Sequence, residues 1–276
     1  MSEARTFVVG DISVTIDGAD LRDIRWRGQE AVRRIYPVFQ DRNWTNRLFV
    51  IDEVSIDETG TGVVLSARGT GSFDAAPLHW EVSASISATG INYRFHATSK
   101  GEFLRNRLGM CVLHPMAAAG AAVEVEHADG SSTTSHFPVD ISPNQPFLDM
   151  RAITHELPDG SRASVRLLGE VYEMEDHRNW TDASFKTYCT PISLPFPVEV
   201  RAGDVIDQSI EVSFIPGASA ATPVAECDDS AIKVTSTGAS TRLPGLGLCI
   251  PAEDPIMSDA QLAALATLSL DHLRVS

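Results

Sequence analysis

The sequence has no apolar run of about 18 residues, so it offers no segment suited to span a membrane as a helix. Its start lacks the basic and apolar regions of a secretory signal peptide. Cysteine is scarce as well, and the four cysteines are too far apart for the paired spacing of a metal site. They are Cys111, Cys189, Cys227 and Cys249. These features predict a cytoplasmic protein with reduced thiols.

Positive charge is also in short supply, with 22 Lys and Arg against 37 Asp and Glu and a net charge of −15. An acidic protein is repelled by nucleic acid backbones and by anionic lipid, so we expect neither as a partner. The nucleophile elbow, the zinc-binding helix motif, the phosphate loop and the dinucleotide fingerprint are all missing. We therefore predict no metal and no cofactor.

What the sequence does contain, from Phe7 to about Phe214, is alternation of apolar and polar residues broken by Thr-Gly and Asp-Gly turns. The runs at 53–56 and 63–67, for example, flank a turn of sequence Thr-Gly-Thr-Gly. This pattern is typical of antiparallel hairpins and predicts a mainly β fold, an antiparallel β-sandwich over residues 1–215.

The composition changes after this region. Residues 216–242 are small, polar and rich in turn formers, which predicts a linker. Residues 243–276 hold a short apolar run, a capping-box pattern beginning at Ser258, a leucine stripe and a second short strand pattern. A parallel strand pair needs cover on both faces, so we interpret this segment as the first β–α–β unit of a truncated α/β barrel.

Ionisable residues are concentrated between Glu173 and Tyr188. If residues 170–175 are extended, Glu173 and Glu175 share one face of a strand about 7 Å apart. Such a cluster is costly to bury unless its members pair with one another or with a ligand. Two interpretations remain open: a functional site, or a polar corner in which Arg178 ties down the carboxylates. Asn179 and Trp180 complete this candidate cluster.

The tetrapeptide Arg-Asn-Trp-Thr occurs twice, at 42–45 and at 178–181. The repetition suggests two corners that meet at one surface. Trp44 and Trp180 would then stack on a sugar face, and half-buried packing is the alternative.

A third polar group precedes the apolar strand 110–113. Arg105 and Arg107 flank an asparagine and would clamp a carboxylate or sugar hydroxyls, unless they lie in an exposed turn. His114 follows the same strand and is either a core residue or a pocket residue.

Four segments have long and uncommon sequence motifs: residues 104–115, 141–147, 151–156 and 173–191. In all four the sequence resembles the D-apionate lactonase family, and the likeness extends over nearly the whole chain. Residues 21–32 also resemble mutarotase-like sandwiches.

The resemblance implies an N-terminal β-sandwich, mutarotase-like or not, that packs on a TIM-type barrel largely missing from this chain. It implies hydrolysis of D-apionolactone to D-apionate in apiose catabolism, with a sugar lactone as ligand. Lactone opening needs a base and oxyanion donors. We assign Glu175 or Glu173 as the base, with His114, Arg178 and Asn179 as possible donors.

Two alternatives belong to other classes of protein. The chain could be a non-catalytic module that binds sugar or supports the barrel. It could also belong to a glycoside-hydrolase-like enzyme, because a sandwich joined to a barrel is common among such enzymes.

Overall fold

The structure is a computed structural model that describes residues 4–47, 49–73, 75–217, 238, 244–250 and 257–275. The chain divides into two units, 1–226 and 227–276. Most of the predicted linker, 216–242, lies outside the described residues.

The first unit consists of antiparallel strands, which confirms the prediction of a mainly β, antiparallel fold. The strands are β1 (Arg5–Val9), β2 (Ile12–Asp17), β3 (Asp20–Trp26), β4 (Gln29–Asp41), β5 (Phe49–Thr59), β6 (Gly62–Phe73), β7 (Ala76–Ser87), β8 (Gly90–Ser99), β9 (Phe103–Pro115), β10 (Ala122–His127), β11 (Ser132–His136), β12 (Phe147–Glu156), β13 (Arg162–Leu168), β14 (Tyr172–Asp176), β15 (Ser184–Tyr188), β16 (Val198–Val200) and β17 (Val205–Ile215). Two short 3₁₀ turns span Met116–Ala118 and His177–Trp180.

All these strands are hydrogen-bonded into one continuous sheet that curls around its core. One arm runs in the order β1, β2, β3, β4, β9, β15, β14 and β12. The other arm runs from β12 through β13, β17, β8, β7 and β6 to β5. Strand β12 belongs to both arms, because its first half pairs with β14 and its second half with β13 and β10.

Alternation of side chains explains most of these strands. In β7, Leu78, Trp80 and Val82 are buried in the core, while the residues between them are exposed. Full burial of one such apolar side chain contributes roughly 1.5–3 kcal/mol, so the inner face drives the collapse and the polar face meets water.

Strand β9 departs from this pattern, because almost every residue along it is buried. It lies between β4 on one side and β15 with β16 on the other. Its core face carries Leu108, Met110 and Val112, and its outward face carries Arg107 and Cys111. The outward face at β9 is therefore covered and polar, and the candidate site is built there.

The second unit contains β18 (Gly247–Ile250), α1 (Asp259–Thr267) and β19 (His272–Val275), with β18 and β19 paired in parallel. The predicted capping box is present, since Ser258 and Gln261 cap α1 reciprocally. In the part of the chain that is described, no helix is long and apolar enough to cross a bilayer.

Candidate functional site

One row of side chains crosses four strands on the outward face of the sheet. Glu173 on β14 lies opposite Tyr188 on β15, Tyr188 opposite Cys111 on β9, and Cys111 opposite Tyr36 on β4. Residues directly opposed in an antiparallel pair share a face, with Cβ atoms about 5 Å apart. We call this set of four the polar row.

Glu173 is almost fully buried in the polar row, and its carboxylate is already engaged. The Tyr188 hydroxyl donates a hydrogen bond to Glu173 Oε1, and the backbone N–H of Ile192 donates to the same oxygen at 2.6 Å. Burial, followed by the hydrogen bond to Glu173, raises the pKa of Tyr188. Tyr188 is therefore a neutral phenol that serves Glu173 as a donor.

Glu175 lies one step further along the same face of β14, opposite Lys186. The two side chains form an ion pair, with 3.1 Å between Lys186 Nζ and Glu175 Oε1. Glu173 and Glu175 therefore share a face, and each carboxylate has its own donor on β15.

Arg107 occupies the same face at the other side of the polar row. Its guanidinium carbon lies 3.4 Å from the centroid of the Tyr188 ring and 5.3 Å from that of Trp44. Arg107 is 4% exposed, whereas Trp44 is 41% exposed. Arg107 thus connects the buried polar row to an aromatic side chain at the surface.

Arg105 does not join Arg107, because the strand bulges between them. Gln40 pairs with Arg107 and the next residue of β4, Asp41, pairs with Arg105, so Asn106 has no strand partner. Neighbouring residues of β4 point to opposite faces, and so do the arginines opposite them. Arg105 instead donates to Thr190 Oγ1 at 2.8 Å. The two arginines therefore do not form one clamp.

Arg178 is the centre of a separate corner. It donates from Nε and Nη2 to Asp176 and from its terminal nitrogens to the carbonyl groups of residues 138–140. Burial acts to raise the pKa of Asp176, but hydrogen bonds from Arg178 and from the Ser142 N–H outweigh it and lower that pKa. Arg178 thus ties down Asp176 and a neighbouring loop, and it contacts neither Glu173 nor Glu175 through a described hydrogen bond.

Asn179 supports the same corner by donating to the carbonyl groups of Ser142 and Asp176. The indole of Trp180 beside it is 70% exposed. The corner is therefore a braced turn that presents one tryptophan to solvent.

The two Arg-Asn-Trp-Thr corners lie at opposite ends of β9. Asp41, at the first corner, pairs with Arg105, whereas Asp176, at the second, aligns through Phe185 with His114. Nine positions of extended chain separate Arg105 from His114, which amounts to about 30 Å. The prediction that the two corners meet at one surface is wrong.

His114 is fully buried on the core face. Its Nε2 lies 3.0 Å from Thr187 Oγ1, and its ring contacts those of Phe137 and His155. Burial lowers the pKa of His114 well below its ordinary range, and burial lowers the pKa of His155 from 6.5 to about 4. Both are neutral core histidines at physiological pH.

Lys186 and Tyr188 belong to the site but were not predicted from the sequence. Ser184, Lys186 and Tyr188 alternate along β15, which was a usable signal for one polar face. Their partners lie on other strands, and no local pattern specifies that register.

Fold and site together define the class: a curled antiparallel sheet domain whose outward face carries a largely buried polar row. Residues 1–216 match the family described as D-apionate lactonase, N-terminal domain. The chain therefore belongs to the D-apionate lactonase family.

A D-apionate lactonase of Brucella anthropi is 35% identical over 263 residues, which cover 94% of this chain and 42% of that relative. The chain thus spans about two fifths of the length of this relative. A protein of Synechocystis sp. PCC 6803 matches in fold, with a TM-score of 0.50 at 6% identity over 78% of this chain and 96% of the other. A galactose mutarotase-like protein of Clostridium acetobutylicum has a TM-score of 0.49 at 8% identity, covering 76% and 94%.

Replacing Arg178 with methionine should destabilise the first unit by about 3 kcal/mol, because it leaves the buried Asp176 carboxylate without its cation. Urea unfolding measures the loss, and hydrogen exchange should show faster opening of residues 138–142. Arg68→Met is the matched control, because its ion pair with Glu53 is exposed and contributes less than about 1 kcal/mol. Equal losses in the two variants would contradict the bracing role.

The buried His155 should make the protein sensitive to acid. Its folded pKa of about 4 lies below the ordinary 6.5, so its contribution to stability is complete above pH 6.5 and is lost as the pH falls towards 4. His155→Phe should reduce the stability difference between about pH 7 and pH 4.5, by up to about 3 kcal/mol. His136→Phe, on the exposed β11, should leave the difference unchanged. An unaltered pH dependence in His155→Phe would refute this assignment.

Proposed function

We propose that this chain forms the N-terminal part of a carbohydrate lactonase that hydrolyses D-apionolactone to D-apionate, a step in apiose catabolism in the cytoplasm. Family membership over residues 1–216 carries the proposal. The curated relative named D-apionate lactonase supports it, because its similarity extends over 94% of this chain.

We propose further that the first unit is a mutarotase-like sandwich and that β18, α1 and β19 begin a TIM-type barrel. The parallel pairing of β18 with β19 supports this, since parallel strands are normally covered on both faces. Leu262, Leu268 and Leu273 of this unit are each about half exposed. In longer family members, the remaining barrel would supply the cover.

Opening a lactone adds water to the carbonyl carbon, breaks the acyl C–O bond and protonates the ring oxygen that leaves. The reaction needs a base with a lone pair directed at water and donors for the oxyanion. Glu173 and Glu175 accept from Tyr188 and Lys186, and His114 is enclosed in the core. We therefore propose that these three residues support the site, and that the base lies at the barrel's strand ends, the usual place for catalytic groups.

The second candidate is a module without chemistry of its own that binds sugar or supports a barrel. The paired state of Glu173 and Glu175 favours it for the part of the chain described here. The two candidates are compatible if the longer protein supplies the catalytic groups.

The decisive assay compares this chain with a family member that continues to the length of the curated relative. Acid release from D-apionolactone is followed beside release from a chromogenic glycoside. We expect the longer protein alone to release acid, and neither protein to cleave the glycoside. Glycoside cleavage without lactone hydrolysis would replace the lactonase proposal with a glycosidase. Equal turnover by the short chain would return catalysis to the first unit.

In the longer protein, the variant corresponding to Glu175→Gln should keep its kcat within about threefold of the unmodified enzyme. The reason is that the Glu175 carboxylate pairs with Lys186 and does not activate the attacking water. Loss of a general base costs roughly 10²–10⁴ in rate. A fall of that size in a normally folded variant would make Glu175 catalytic. Glu53→Gln, in an exposed ion pair, is the matched control.

A further inference from the structure

Several buried polar atoms without partners lie where β4 and β9 pair side by side around the bulge at Asn106. They include Gln40 Oε1, Asn106 Oδ1 and Arg107 Nη1. Such atoms are uncommon in folded proteins, and each one calls for an explanation such as water or a ligand. Three of them beside one bulge between β4 and β9 indicate a binding site for a ligand.

Gln40 and Arg107 are held in fixed orientations there. They lie directly opposite each other on β4 and β9 and so share the outward face. Gln40 donates from Nε2 to Asn46 Oδ1 at 3.1 Å, which leaves its carbonyl oxygen as the unused atom. Arg107 is fixed by its stacking on Tyr188, and its unused atom is a donor. The paired positions therefore offer one free acceptor, Gln40 Oε1, opposite one free donor, Arg107 Nη1.

Trp44 covers Arg107 on the side that faces solvent. It lies in a turn whose backbone is hydrogen-bonded to Asp41. The Asp41 carboxylate accepts from the N–H groups of Asn43 and Thr45 at 2.8 and 3.0 Å and pairs with Arg47. Trp44 itself has a φ of +65°, a left-handed conformation that is rare for a bulky residue and that recurs at functional sites. The turn thus places the indole of Trp44 against Arg107 from a strained backbone position.

An apolar surface is also available next to Trp44. Phe196 packs edge-on against it, with ring centroids 5.3 Å apart, and is 45% exposed. The two rings form a partly exposed aromatic corner adjoining the free donor and acceptor.

We propose that Trp44, Arg107 and Gln40 form a subsite for a neutral, hydroxylated ring, such as a sugar or a sugar lactone. A hydroxyl both accepts and donates, so adjacent hydroxyls satisfy the guanidinium N–H and the amide oxygen together. A carboxylate only accepts, and it would leave Gln40 Oε1 unpaired next to a negative charge. The aromatic corner packs against the C–H groups of the ring.

Trp44 covers Arg107, so entry of a ring requires the indole to rotate. Rotamer changes of exposed side chains take picoseconds to nanoseconds and do not limit binding. The substrate class rests on the proposed function, whereas the existence of the subsite rests on the unpartnered atoms and the aromatic corner beside them.

Isothermal titration of the intact 276-residue chain tests the subsite, with D-apiose and D-apionolactone as neutral probes and D-apionate as the charged probe. We expect both neutral probes to bind more tightly than D-apionate. Trp44→Ala should weaken their binding about tenfold through loss of the ring contact. Gln40→Leu, similar in size, should weaken it several-fold.

Trp180→Ala is the matched control, because Trp180 lies in the same tetrapeptide at the other end of β9 and should leave affinity unchanged. Thermal melting verifies that each variant is folded. Absence of binding by either neutral probe, tighter binding of D-apionate, or equal losses in the two tryptophan variants would each overturn the subsite.

The binding and turnover experiments fail independently. Lactone hydrolysis by the longer protein without sugar binding by this chain would reject the subsite and retain the lactonase. If sugar binding depends on Trp44 but the longer family member cleaves only glycosides, the subsite is retained and the lactonase proposal is rejected.

Discussion

The burial of β9 on both faces is the constraint on which the rest of the structure depends. A central strand with an apolar core face and a covered outward face disfavours unpaired charged groups, because their desolvation is costly. Glu173 is therefore paired with Tyr188, Glu175 with Lys186, and Arg107 is stacked between rings. The outward face is a second, polar core in which both glutamates have donors, while Arg107 keeps one N–H group without a partner.

Much of the fold was accessible from the sequence because it depends on local signals. Turn residues and alternating hydrophobicity predict hairpins, and the capping box at Ser258 predicts the start of α1. The common face of Glu173 and Glu175 also followed from the two-residue period of a strand. Continuity of the two arms through β12 did not, because no short-range pattern states which strands become neighbours.

The candidate site was less predictable, because one residue of bulge reverses the face of everything before it. Arg105 and Arg107 would share a face on a regular strand, and the bulge at Asn106 separates them. Of the two interpretations left open for the acidic cluster, the contacts of Arg178 match the polar corner, because it ties down a carboxylate. Its partner is Asp176, and the two glutamates are engaged by Tyr188 and Lys186 instead.

The repeated tetrapeptide shows how one local sequence can serve two purposes. In both copies an aspartate at a strand end accepts from the backbone N–H two residues later, Asn43 in the first and Arg178 in the second. The turns differ, because the second copy forms a 3₁₀ turn over His177–Trp180 whereas Trp44 in the first has a φ of +65°. Trp44 packs against Arg107 and Phe196, while Trp180 is mostly exposed. The conformation of each turn and the strand beside it together decide what the tryptophan contacts.

The shared strand β12 has a consequence for how the first unit comes apart. Strand β12 is hydrogen-bonded to β10, β13 and β14. If β12 leaves one arm, the other arm loses a hydrogen-bonded strand as well. We therefore expect unfolding of one arm to destabilise the other, so that the two arms unfold cooperatively. A ligand held far out on one arm would in this way protect the whole sheet against unfolding.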